Sequence, residues 1–163
     1  MQRSYRRRMA LRRKLTIKMT TNSANNRVPE SYEEIEHTAD WALRIRGQDL
    51  RELLVNAARG MSQLLVVDLD TLPRNVEEHI VIEAYDAESL LVNWLSELAY
   101  HAEIHGTVFA EFDVYDITPT RLEATVRGGR APQLQKHIKA VTYHNLAVIQ
   151  TEEGIEATVV FDV

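Results

Sequence analysis

Apolar and polar residues first alternate regularly at Trp41-Ala42-Leu43-Arg44-Ile45-Arg46. There Trp41, Leu43 and Ile45 share one side of an expected half-buried strand, which Gly47 closes. Folded sequence is expected from about Tyr32, which leaves Asp40 between two short strands. Asp49, with Glu52 three residues on, makes a capping-box pattern. Leu50, Leu53, Leu54, Ala57, Ala58, Met61, Leu64 and Leu65 then recur at spacings of three and four, the stripe of an amphipathic helix. After a turn at Pro73, Val76, Glu78, Ile80, Ile82 and Ala84 fall on one face of a strand. A second helix is expected from Asp86 or Ser89, with Leu90, Leu91, Trp94, Leu95, Leu98 and Ala102 inward and Gly106 as its C-terminal cap.

The remainder reads as strands. Val108, Ala110, Phe112 and Val114 alternate, as do Leu122, Ala124 and Val126, before Gly128-Gly129 and Pro132 signal a loop. Two final strands are expected over Val141 to Gln150 and Ile155 to Val163, joined by a hairpin turn at Glu153-Gly154. On the last strand Ile155, Ala157, Val159, Phe161 and Val163 share a face, so Asp162 points to the opposite, polar side with Glu156 and Thr158. The expected architecture is α+β: two helices packed on a mainly antiparallel sheet in one domain spanning residues 31–163.

Charge divides the chain sharply. Residues 1–18 hold Arg3, Arg6, Arg7, Arg8, Arg12, Arg13, Lys14 and Lys18 and no acid, while the rest carries 11 basic against 24 acidic residues, a net of −13. A body this acidic repels a phosphate backbone and is a poor general nucleic-acid binder. Residues 1–30 read as a basic, disordered N-terminal extension: an arm that attracts nucleic acid, a transit-like leader, or sequence upstream of a true start at Met19. The absence of cysteine excludes disulfides, thiolate metal sites and cysteine nucleophiles. No run approaches the roughly 18 apolar residues of a membrane span, and a cytoplasmic location is expected.

Candidate chemistry is sparse. There is no phosphate-binding glycine loop, nucleophile elbow or two-histidine zinc motif. Asp40 and Asp162 offer carboxylates from opposite ends of the domain, and the α-carboxylate of Val163 is expected to offer a third. Such hard oxygen donors suit Ca²⁺ or Mg²⁺. Asp is equally an ordinary turn residue at position 40 and an ordinary solvated residue at a strand end. Lys139 suits a phosphate or a partner carboxylate, and His144 and His37 suit an acid or a metal. A solvated lysine and hydrogen-bonded structural histidines are the plain alternatives.

Glu36-His37-Thr38-Ala39-Asp40, Leu90-Leu91-Val92-Asn93-Trp94-Leu95, Ile138-Lys139-Ala140-Val141-Thr142-Tyr143-His144 and the final Asp162-Val163 occur in an order and spacing that resemble the archease family. The resemblance covers residues 32–163. It implies a small α+β protein that is not itself an enzyme. The implied role is to activate an RtcB-type tRNA-splicing RNA ligase by promoting GTP-dependent guanylylation of a ligase histidine and hence multiple turnover. It also implies a divalent-metal site, occupied by Ca²⁺ with Mg²⁺ and Mn²⁺ as alternatives, at Asp40, Asp162 and Val163. Lys139, His37 and His144 are the candidates for ligase activation. RNA is then met only through the ligase, with no membrane partner. Trp41-Ala42 stands where Ile-Gly is common in the family, and Asp-Val where Asp-Ile is common. The rival readings are a general chaperone or modulator of RNA-modifying proteins, and a metal-assisted hydrolase using Asp40, Asp162 and His144.

Overall fold

The computed structural model describes residues 31–36 and 40–163. In chain order these form β1 (Tyr32–Glu36), β2 (Trp41–Gly47), α1 (Leu50–Leu65), β3 (Val76–Glu83) and α2 (Ala87–His105). There follow β4 (Thr107–Thr118), β5 (Arg121–Arg130), β6 (Ala140–Thr142), β7 (Ile149–Thr151) and β8 (Gly154–Asp162). The N-terminal extension and His37 lie outside the described residues.

Both helices begin where local chemistry places them. Asp49 has extended backbone and accepts the Glu52 N–H at 2.9 Å, while the Glu52 carboxylate accepts the Gln48 N–H at 3.2 Å, so two N–H groups at the head of α1 are satisfied. Asp86 caps α2 by accepting the Ser89 N–H at 2.7 Å. That interaction holds the Asp86 carboxyl below its ordinary range, and the Ser89 hydroxyl adds to the effect. Gly106 ends α2 at φ 64°, the left-handed conformation that glycine adopts at least cost.

The strands divide between two antiparallel sheets, one ordered β1-β2-β8-β6 and the other β3-β5-β4. β6 and β7 both pair with β8, along successive stretches of its length. Helix α1 packs against β2 and β4, and so touches both sheets, while α2 packs on α1, β3, β4 and β6. Leu53, Leu54, Met61, Leu90, Leu91, Leu95, Phe109 and Phe161 fill the space between, each essentially inaccessible to water. The Trp94 indole N–H donates to the Leu54 carbonyl at 3.0 Å, which locks the helices together and gives a buried donor its partner.

Two expectations are revised. β5 runs on through Gly128 and Gly129 to Arg130 instead of breaking there. At Gly128 an added Cβ would run into the Val108 carbonyl, so glycine here lets β4 approach closely instead of turning the chain. The strand expected over Val141 to Gln150 is two short strands separated by residues 143–148. Asn145 takes φ 53° and the Leu146 N–H donates to the Tyr143 carbonyl at 3.1 Å, a turn that no continuous strand accommodates. The loop is then held by Glu88 at the head of α2, which accepts the Val148 N–H at 3.0 Å.

Candidate metal centre

The last pair of the β2–β8 ladder is Trp41↔Phe161. Asp40 immediately precedes Trp41 and Asp162 immediately follows Phe161, so the antiparallel register carries both carboxylates to the same end of the sheet. Phe161 is completely buried and fixes the end of β8, while Asp162 is exposed and Asp40 half-buried. The inward packing of Val159 and Phe161 thus turns Asp162 outward, as the alternation predicts.

The segment 131–139 braces this end of the sheet. It starts where the Ala131 N–H donates to the Gly106 carbonyl after α2, and the Gln135 N–H then donates to Leu65 at the end of α1, both at 2.8 Å. These contacts satisfy carbonyls that helix ends leave open. The chain next sets Lys136 over Trp41, with Nζ 3.2 Å from a ring centroid and 3.9 Å from Glu34 Oε1. Finally, the Lys139 N–H donates to the Asp162 carbonyl at 2.8 Å, and Ala140 pairs with Asp162 at the start of β6.

The structure therefore gathers Asp40, Asp162 and the Lys139 backbone at one strand end, with Val163 half-buried beside Asp162. It does not gather His144. β6 leads away from Asp162, with Thr142 opposite Val160, and His144 lies two residues beyond that. β6 ends at Thr142, and His144 lies in the turn that follows it. The His144 N–H donates to Thr142 Oγ1 at 3.3 Å, and its ring lies 3.1 Å from Asn145 Nδ2. Lys136 was not among the residues singled out from the sequence. A lysine four residues before the end of a polar loop gives no signal there, since its position over Trp41 arises only when residues far apart in the chain meet.

As a donor set, Asp40 and Asp162 suit a hard divalent cation. Among the described residues neither carboxylate has an ion pair or hydrogen bond, and two like charges at adjacent strand ends are an unfavourable arrangement without a counter-charge. Among the described residues no three His, Cys, Asp or Glu side chains surround a common point. A cation held here would accordingly complete its shell from main-chain oxygen, of which Val163 is the nearest in sequence, and from water.

The outer face of the second sheet carries a separate charged cluster. Glu123 lies 2.9 Å from both Arg121 Nη2 and His79 Nε2, and Arg121 reaches Asp116 at 2.6 Å. Hydrogen bonding from Arg121, then from His79, holds the Glu123 carboxyl below its ordinary range. The cluster is internally satisfied, and His79 stacks on Tyr115 at 6.2 Å.

The archease protein family matches residues 32–163. This chain belongs to the archease family. The archease of Methanosarcina mazei is 34% identical over 142 residues, covering 82% of this chain and 97% of that protein. That of Methanopyrus kandleri is 37% identical over 131 residues, covering 76% and 91%. Protein 1598 of Methanobacterium thermoautotrophicum superposes with a TM-score of 0.67 at 26% identity, covering 82% of this chain and 99% of its own. A Thermotoga maritima protein described as an archease, possible chaperone, shares the fold with a TM-score of 0.56 at 23% identity over 86% of this chain and 100% of its own. Both solved relatives match the architecture of two helices on antiparallel sheets. Among the described residues no helix is long and apolar enough to cross a membrane.

Proposed function

We propose that this archease activates an RtcB-type RNA ligase in tRNA splicing or RNA repair, promoting GTP-dependent guanylylation of the ligase and its multiple turnover without being an enzyme itself. The observation that carries the reading is the register that brings Asp40 and Asp162 to one end of a rigid sheet with no cationic partner among the described residues. Asp40, Asp162 and a main-chain oxygen of Val163 are the proposed ligands of a divalent cation, Ca²⁺ by preference for flexible oxygen shells, with Mg²⁺ or Mn²⁺ as alternatives. When bound, such a cation supplies a positive charge that can meet phosphate oxygens.

The chain's own residues do the positioning. Phe161 anchors one carboxylate and the β2–β8 ladder the other. Segment 131–139 braces the strand end and presents Lys136 and Lys139 beside it. Lys139 is exposed and is the proposed contact to a phosphate or to an acidic group of the ligase. His144, on the 143–148 loop, and His37 are proposed as contacts to the ligase and not as metal ligands. The partner surface is protein, and RNA is met through it.

The test is RNA ligation with the ligase limiting, in the presence of GTP and divalent metal, with and without this protein. A rise from about one turnover to many is expected. Asp40→Asn and Asp162→Asn should each abolish the rise while leaving the circular-dichroism spectrum unchanged. A competent ligase that turns over equally with wild type, variants and buffer would overturn the proposal.

A further inference from the structure

We infer that the free edge of β3 and the adjoining face of α2 form a docking groove for an extended, basic segment of a partner protein, which binds by adding a strand to the β3-β5-β4 sheet. The inference concerns the second sheet and does not rest on the metal centre. β3 is the edge of that sheet. An open groove of about 380 Å³ runs along it, lined by Val81 and Glu83 on one side and Asn93, Glu97 and Tyr100 on the other.

The directions of the main chain follow from two bonds. The Ala84 N–H donates inward to the Thr120 carbonyl at 2.9 Å, whereas the Glu83 carbonyl faces α2 and accepts from Asn93 Nδ2 at 3.3 Å. Peptide groups alternate along a strand, so those of Val81 and His79 face outward like those of Glu83. No further strand pairs with them among the described residues. An extended peptide laid there would meet ready donors and acceptors.

Side chains define which peptide fits. Val81 is 44% exposed, and Tyr100 and Ile104, one turn apart on α2, are 52% and 62% exposed. Large apolar side chains left in water beside an unpaired strand are anchors for alternate apolar residues of an added strand. Among the described residues the charged ones lining the groove are Glu83 and Glu97, with Glu78 also exposed on β3. That charge selects lysine or arginine at the intervening positions. It also opposes a second copy of this chain, because a two-fold antiparallel pairing of β3 with β3 centred on Ile80 would set Glu77 of each copy against Glu83 of the other.

The probe is a peptide of alternating lysine and valine, of the length of β3, titrated into the full-length protein and followed by amide NMR shifts and fluorescence anisotropy. Shifts are expected at His79, Val81 and Glu83 and at Asn93, Glu97 and Tyr100. Methylating alternate peptide nitrogens on the hydrogen-bonding edge keeps charge and composition and should abolish binding without altering the protein. The pair Glu83→Lys and Glu97→Lys should weaken binding at least about tenfold. Equal binding of the methylated peptide, shifts confined to other surfaces, or no binding at all would overturn the inference, as would a concentration-dependent dimer through β3. None of these readouts involves ligase or metal, so the groove and the activator role stand or fall separately.

Discussion

Replacing one carboxylate of the candidate metal centre should act with opposite signs in the presence and absence of cation. The β2–β8 register places Asp40 and Asp162 one step beyond the Trp41↔Phe161 pair. Directly opposed residues on neighbouring strands have Cβ atoms about 5 Å apart. Two unit charges at about 5 Å repel by about 0.8 kcal/mol at the dielectric of water, which suits an exposed Asp162 better than any interior value. Asp162→Asn keeps shape and removes one charge, so in chelator the variant should be as stable as wild type or more stable by up to about 1 kcal/mol. With Ca²⁺ at about one hundred times its dissociation constant, the wild type should gain about 2.7 kcal/mol. At about 4 °C per kcal/mol for a domain of this size, that is a rise of about 10 °C in melting temperature. The variant should show almost none of this rise. Calorimetric melts of both proteins in chelator and in a Ca²⁺ series measure all four values. If Asp162→Asn is clearly less stable than wild type in chelator, or gains as much from Ca²⁺, the carboxylate is structural and the metal assignment fails.

Three further outcomes follow from the described geometry. Trp94→Phe keeps much of the buried ring but loses the indole hydrogen bond to the Leu54 carbonyl and leaves a small cavity, and should lower stability by about 1–3 kcal/mol in urea unfolding. Lys136→Met retains the stem over Trp41 while removing the charge, and should cost about 0.5–1 kcal/mol. It should shift the emission of Trp41 but not of the fully buried Trp94, and an unchanged spectrum would argue against the stacked lysine. Glu123 has its folded pKa lowered by Arg121 and His79, so its contribution is fully present above its unfolded value near 4.5 and is lost as pH falls through the lowered folded value. The stability difference between wild type and Glu123→Gln should therefore be present at neutral pH and vanish in acid, whereas a difference that persists in acid would refute the ion-pair account.

What could be read along the chain was whatever depends on neighbours within a few residues. Asp49 with Glu52, Asp86 with Ser89, and Gly106 after α2 act within one helical turn, and their partners are found where the spacing puts them. Gly128 misleads because the same residue serves a loop or a close approach of two strands, and only the position of Val108 separates these. Val141 to Gln150 misleads in the opposite way. Its apolar residues suit a strand, yet Asn145 and the Tyr143–Leu146 turn break it.

By itself the sequence determined the two amphipathic helices, the outward direction of Asp162, the acidic character of the body, and the oxygen chemistry of its candidate ligands. All of these follow from local periodicity and side-chain type. Tertiary structure alone decided that the strands form two sheets and that the β2–β8 register brings Asp40 to the same end as Asp162. It also decided that His144 lies away from that end, that Lys136 covers Trp41, and that β3 keeps a free edge beside α2. The physical reason is the same in each case. Register and sheet membership are set by the burial of faces contributed by distant segments, and no window of neighbouring residues contains both partners.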